Sequence, residues 1–335
     1  MKQILITGAS GFIGSFFVET ALQKGWTVWA GIRSTSSREF LTDPALHFID
    51  LNYTDSEKLH AQIENHVAQN GKWDYIIHNA GITKSAKDTD FDRINFGHTK
   101  NLIDALRNSG NIPEKFVFMS SLSAFGPGDE KRYTPLRADD TPRPNTAYGR
   151  SKMQAEHYLR SQIHFPYIIL RPTGVYGPRE KDYYTMVRMI NSGLDVAVGF
   201  KKQLLSFIYI KDLAKVCFDA IESPLQNKAW FVTDGDVCTS REYTEIVKDA
   251  LQKDRVFKIT IPLWIVRIVS VFAGIFGKIT GKPTLLNPDK FRILKQRNWI
   301  CDITPLEKDL SFKAKYNLRE GMEETIAWYR ENGWL

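Results

Sequence analysis

Thr7-Gly8-Ala9-Ser10-Gly11-Phe12-Ile13-Gly14 decides the fold of this chain. The residues leading into it, Gln3-Ile4-Leu5-Ile6-Thr7, are a short apolar run of β-formers, the pattern of a buried strand. Gly8 permits a tight turn, Gly11 has no side chain to block a pyrophosphate, and Gly14 lets the next helix lie against the strand. Phe12–Lys24 carries that helix, whose first N–H groups lack intrahelical partners and face the phosphates. A glycine triplet alone says little, since glycine turns occur in unrelated parallel-sheet proteins. A strand before it and a helix after it are what dinucleotide binding requires. Gly8, Ser10, Gly11, Phe12, Ile13 and Gly14 are the expected phosphate-binding set.

The next strand, Thr27–Ile32, ends at Arg33. A carboxylate there would accept hydrogen bonds from the adenine ribose and select NAD, but no Asp or Glu occurs before Glu39. Arg33 is followed by Ser34, Thr35, Ser36 and Ser37, with Arg38 beyond, a donor set suited to a 2′-phosphate. NADP(H) is therefore the expected cofactor, with NAD as the alternative, and a solvated loop Arg as the plainer reading of Arg33. His47–Leu51 reads as the third strand, placing Asp50 and Leu51 near the adenine. Tyr75–Gly81 reads as the fourth, whose end Asn79-Ala80-Gly81 is small enough to let a dinucleotide pass. His78, at that strand end, is expected to be structural.

Phe116–Met119 is a fifth buried strand, ending in Ser120-Ser121-Leu122-Ser123. Ligands bind at such strand ends in open α/β sheets. Tyr148 and Lys152 are four apart and share one helical face, after a helix start built from Pro142, Pro144, Asn145 and Thr146. An ammonium beside a phenol favours the phenolate, so the expected effect is a lowered Tyr148 pKa and proton exchange near neutral pH. That spacing alone would fit any surface helix; the glycine cradle and the serine strand end give it meaning.

These residues resemble the extended short-chain dehydrogenase/reductase family. The likeness rests on the TGxxGxxG stretch at 7–14 and on Tyr148 and Lys152 as a YxxxK pair. Asn95-Phe96-Gly97-His98-Thr99, Phe118-Met119-Ser120-Ser121 with Phe125-Gly126, and Leu170-Arg171-Pro172-Thr173-Gly174-Val175-Tyr176-Gly177-Pro178 extend it. The resemblance implies Ser121 orienting the substrate oxygen, Tyr148 as acid/base and Lys152 on the nicotinamide ribose. It also implies a structural or relay role for Asn95, Pro172 and Thr173 beside the nicotinamide, and a homodimer.

At 335 residues and 43% hydrophobic content the chain can bury a substantial core. Strands alternate with helices up to Gly177, the pattern of a doubly wound parallel α/β sheet of Rossmann type. Residues 1–165 are expected to form the dinucleotide domain, its sheet completed by 167–177 and 205–222. Residues 166–335 are expected to form a smaller mixed substrate-binding part. Asp55–Asn70 and Asp92–Ser109 read as crossover helices. Cys217, Cys238 and Cys301 show neither a disulfide framework nor metal spacing; a reducing compartment and no metal are expected. Met1 leads straight into the first strand with no signal-peptide pattern, so a cytoplasmic location is expected.

The net charge of +7 is unevenly placed: residues 253–297 hold ten Lys/Arg and two Asp/Glu, leaving 35 against 36 elsewhere. The same segment contains the apolar runs 259–266 and 268–277, interrupted by Arg267. A spanning helix is not expected, because Arg267 and three glycines weaken the run. Three roles remain open: a buried helix of the second part, with or without packing on a partner subunit, a cover for an apolar substrate, or peripheral membrane contact through 259–297. Nucleic acid is excluded as a partner, since the charge is interleaved with aliphatic residues and no recognition motif accompanies it.

Two enzyme branches use a Tyr/Lys pair of this kind. Nucleotide-sugar epimerases and dehydratases grip a diphosphate with second-domain arginines. Their pattern puts one Arg where this chain has Leu205, another in an R-x-G-D segment where it has Arg297–Asp302, and an Asn absent from Pro172-Thr173-Gly174. The long apolar insert before Pro283, Arg33, Asn287–Lys290 and the Trp328-Tyr329…Trp334 ending are similar instead to 3β-hydroxysteroid dehydrogenases and dihydroflavonol reductases. The expected activity is interconversion of a secondary alcohol and a ketone or aldehyde on an apolar, steroid- or flavonoid-like small molecule. A sugar epimerase/dehydratase is the first alternative and a non-catalytic dinucleotide sensor the last, since Tyr148 and Lys152 are both present. Gly and Pro around Phe125–Pro144 suggest a loop able to close over the site.

Overall fold

Ile4, Leu5 and Ile6 are wholly buried because strand β1 (Gln3–Thr7) has a parallel partner on each side and helices over both faces. The computed structural model describes residues 1–281, 284 and 286–335; Lys282, Pro283 and Leu285 of the 253–297 segment lie outside the described residues. After β1 come α1 (Phe12–Gln23), β2 (Thr27–Gly31), β3 (His47–Ile49), α2 (Ser56–Asn70) and β4 (Tyr75–His78). The crossover expected at Asp92–Ser109 is three pieces: α3 (Asp88–Phe91), a π-helical stretch Asp92–His98, and α4 (Thr99–Asn108). Then follow β5 (Lys115–Met119), α5 (Ala147–Arg160) and β6 (Tyr167–Pro172).

The central sheet has seven parallel strands, and its seventh is Lys228–Val232. That corrects the expectation that 205–222 completes it together with 167–177, of which only Tyr167–Pro172 joins the sheet. Gly174–Tyr176 (β7) and Phe207–Tyr209 (β10) pair with each other instead, in a separate ladder. Between them lie α6 (Lys181–Asn191), β8 (Leu194–Val198) and β9 (Leu204–Leu205). Next are α7 (Ile210–Glu222) and the seventh sheet strand, β11; the sheet order is β11-β6-β5-β4-β1-β2-β3. The strand order reverses between β1 and β4, which opens the ligand crevice at their carboxyl ends. Alternation divides the core: Ile4, Ile6, Val28 and Ile77 face α1 and α7, whereas Leu5, Ile76, Phe116 and Phe118 face α2, α4 and α5.

The remaining elements are β12 (Cys238–Thr239), α8 (Ser240–Ala250), β13 (Phe257–Ile261), α9 (Leu263–Thr280), α10 (Pro288–Leu294), α11 (Thr304–Leu310) and α12 (Leu318–Glu331). Capping boxes start α8 at Thr239/Glu242 and α12 at Asn317/Glu320. The reading of α9 as a buried helix does not hold within this chain. Only Val266, Ser270 and Gly277 of it are buried, while Trp264, Phe272 and Phe276 are 65%, 69% and 63% exposed.

Candidate active site

Two of the three cradle glycines stand where no side chain fits. Gly8 has φ +66°, and a Cβ there would lie 2.9 Å from the backbone N and Cα of Ala80. A Cβ on Gly14 would lie 2.2 Å from the Gly8 carbonyl oxygen, so α1 and the turn that follows β1 touch backbone to backbone. Gly11 is the N-cap of α1, extended and without a side-chain cap, which leaves the first N–H groups of the helix to a ligand. Ser10, Phe12 and Ile13 stand in the turn and the first helical residues, and Ile13 lines the cleft below. These are features that a dinucleotide pyrophosphate fits.

The floor beneath is a closed polar chain. The Thr7 hydroxyl accepts from the N–H groups of Asn79 (3.1 Å) and Ala80 (3.0 Å) and lies 2.9 Å from His78 Nδ1. His78 Nε2 lies 2.9 Å from the Thr99 hydroxyl, which donates to the Asn95 carbonyl at 2.7 Å. Since Thr99 uses its proton on Asn95, His78 donates from Nε2 and accepts from Thr7 at Nδ1. Burial drives its pKa down to about 3, so the ring is neutral and fixes the turn after β4.

At the β2 and β3 ends, Arg33 is exposed, and Asp50 Oδ2 accepts from the backbone N–H of Ser34 at 2.7 Å. Asp50 therefore organises the loop that carries Arg33, while Leu51 is buried behind it. The Arg38 guanidinium stacks 4.1 Å over the Phe48 ring.

Asn79, Gly81, Ser121, Tyr148, Lys152, Pro172 and Thr173 line one cleft of about 210 Å³. Ala80, between Asn79 and Gly81, does not line the cleft; its backbone packs against Gly8. Met119, Ser120 and Val175, which lie within the quoted motifs, also line the cleft, as do Ile82 and Thr83, which no motif marked. Thr146 caps α5 by accepting from Gly149 N–H at 3.0 Å. A Cβ on Gly149 would be 2.2 Å from the Ser123 carbonyl, so this glycine lets Tyr148 approach the β5 end. Asn95 ties the far wall: it accepts from Ile82 N–H (2.8 Å) and donates to the Ile82 carbonyl (3.0 Å) and Ser151 (3.1 Å). Its π-helical setting is a common device at functional sites.

The electrostatics differ from the expectation. Burial raises the Tyr148 pKa, opposed only by a hydrogen bond with Ser121. Lys152 does not lower it, because its Nζ donates to the Met119 carbonyl at 2.8 Å and lies over the Phe118 ring. Burial in turn lowers Lys152 to about 8, with Glu156 opposing. One turn beyond Lys152, Glu156 forms a buried fork with Arg171 (Nη2–Oε2 2.6 Å, Nε–Oε1 3.0 Å) and accepts from Ser120 at 2.5 Å. Neither residue stood out in the sequence as a partner of the other, although Glu156 lies i+4 from Lys152.

The segment 125–144, expected to close over the site, contributes no residue to the cleft lining and is latched to the C-terminal part. Arg297 bonds Glu130 through its backbone N–H (3.0 Å) and Nε (3.3 Å), and the Tyr133 hydroxyl at 3.0 Å. Asn298 donates to the carbonyls of Asp129 and Thr134, both at 2.9 Å. A larger open groove of about 700 Å³, between Asp195, Arg241 and Lys258, is remote from this set of residues.

The NAD dependent epimerase/dehydratase family model matches residues 4–232, from the first strand through the seventh strand of the sheet. This chain belongs to that family. Its members are enzymes, and this one is an enzyme of the extended short-chain dehydrogenase/reductase type, with the family's NAD-type dinucleotide chemistry. Among its relatives is a UDP-glucose 4-epimerase of Vibrio cholerae, 25% identical over 97% of this chain and 94% of that protein. A ceramide reductase of Caulobacter vibrioides is 23% identical over 99% and 96%. A 3 beta-hydroxysteroid dehydrogenase/Delta 5-->4-isomerase of Mycobacterium tuberculosis is 23% identical over 98% and 90%. The crystal structure of UDP-glucose 4-epimerase from Thermotoga maritima superposes with a TM-score of 0.78 over 98% of this chain and 99% of that one, at 21% identity. The Rossmann-type fold is thus shared with family members that act on quite different substrates.

Proposed function

We propose that this enzyme is an NADP(H)-dependent oxidoreductase that interconverts a ketone and a secondary alcohol on an apolar substrate. The observation that carries the reading is the engagement of Arg297 with Glu130 and Tyr133. It is the only Arg of the stretch 297–302, and Leu205 stands at the other diphosphate position. The ceramide and hydroxysteroid relatives support an apolar substrate, and exposed Arg33 on a strand end without a carboxylate supports the 2′-phosphate.

The bound nicotinamide would supply or accept the hydride. Residues 8–14 would hold the pyrophosphate, Arg33 the 2′-phosphate, and Lys152, with Nζ protons beyond the one given to Met119, the ribose. Ser121 would orient the substrate oxygen, and Tyr148, kept protonated by burial, would give it a proton during reduction and recover one during oxidation.

Nicotinamide absorbance with NADPH and a panel of long-chain and steroidal ketones, with Tyr148→Phe as the blank, tests the reading. Tyrosine-dependent oxidation of NADPH is expected. Cofactor binding without turnover on any ketone, together with conversion of a UDP-sugar at constant absorbance, would replace the reading by the epimerase one that the Vibrio relative favours.

A further inference from the structure

We propose that α9 is an interfacial docking helix by which this enzyme rests on an anionic lipid bilayer. The proposal goes beyond the catalytic reading and does not depend on it. A surface helix ordinarily turns its apolar stripe inward. Here Val266, Ser270 and Gly277 face the body, held there by close approach of Gly274 to Pro288 of α10. At about 3.6 residues per turn, the opposite face carries Trp264, Ile268, Phe272, Ile275, Phe276 and Ile279, each between 48% and 79% exposed. Gly199 packs against Leu263 at the start of the helix, and the next residue, Phe200, is 78% exposed.

Charge selects the occupant. Arg267 and Lys278 border its apolar face; Lys253, Arg255 and Lys258 precede the helix, the last two in a groove shared with Asp195, Glu245 and Asp254. All five are exposed and, among the described residues, make no ion pair. A symmetric contact with a second copy would set this basic segment against itself. An anionic headgroup layer neutralises it while the acyl boundary covers the aromatic side chains. The helix lies on the surface rather than spanning, because one face is fixed to the protein along its length and Arg267 lies within it. Through α10 the docked helix adjoins the N-terminus of α5, which carries Tyr148.

Flotation of the purified chain with vesicles of phosphatidylcholine alone, or with an equal part of phosphatidylglycerol, tests this. The expected result is flotation with the anionic vesicles only, weakened by salt. Arg267→Gln with Lys278→Gln should lower the partition coefficient about tenfold or more. Trp264→Ser with Phe272→Ser and Phe276→Ser should abolish flotation; a cooperative urea melt checks that the triple variant is folded, and the charge variant decides if it is not. Wild-type protein that stays down with anionic vesicles would overturn the proposal. So would retention through an alkaline carbonate wash, which marks a spanning helix. A dimer that the triple variant converts to monomer with flotation unchanged would assign the face to a second copy, and also overturn it.

Discussion

The Asp289 carboxylate accepts a hydrogen bond from the backbone N–H of Ala147 at 2.7 Å, across 142 residues of chain. Ala147 is the first residue of α5 and Tyr148 the second. A segment that contributes nothing to the central sheet thus satisfies an otherwise orphaned N–H of the helix that carries Tyr148 and puts negative charge at its positive end.

Asp289→Ala is expected to cost about 0.5–2 kcal/mol of stability, the usual worth of such a cap. Turnover should fall further than stability accounts for, because Tyr148 loses its positioning, while NADPH affinity stays near wild type. Denaturant melts with separate kcat and dinucleotide-binding measurements check this. Equal loss of binding and turnover would mean general loosening.

Lys152 has a pKa of about 8 in the fold against 10.5 ordinarily. Between those values the unfolded chain binds the proton and the folded one does not, so this residue makes stability rise with pH through about 8 to 10.5. Below that window the buried ammonium is a standing cost. Lys152→Met should abolish turnover, leave the ligand-free protein at least as stable at neutral pH, and remove the alkaline gain. Urea unfolding at neutral and alkaline pH measures it; an unchanged pH profile would refute it.

Arg171 is 2% exposed and Glu156 is 4% exposed, so the pair has no solvent to fall back on. Glu156→Gln leaves the guanidinium buried and uncompensated, at an expected cost of about 3–5 kcal/mol. The midpoint of chemical denaturation reports it. A change below about 1 kcal/mol would mean that water replaces the carboxylate.

Arg33→Ala should weaken NADPH by about tenfold or more, the worth of a charge-assisted hydrogen bond, and leave NADH nearly unchanged. Fluorescence titration with each cofactor decides it; equal effects on both would remove Arg33 as the phosphate reader.

Periodicity and glycine spacing determined much of this protein without reference to its fold. The strand Gln3–Thr7, the cradle at 8–14, the serines at the end of β5 and the one-turn spacing of Tyr148 and Lys152 are local, and local geometry is set by neighbours in sequence. Only the tertiary structure decided the rest. The seventh strand proved to be Lys228–Val232 rather than one within 205–222, because both stretches hold a short apolar run and only packing against β6 distinguishes them. The direction of the Tyr148 shift, the Glu156–Arg171 fork and the Asp289 cap depend on burial and on partners distant in the chain. The 263–280 helix is apolar in any reading. Which face it buries is set by the surface it meets, and here that surface covers only one side.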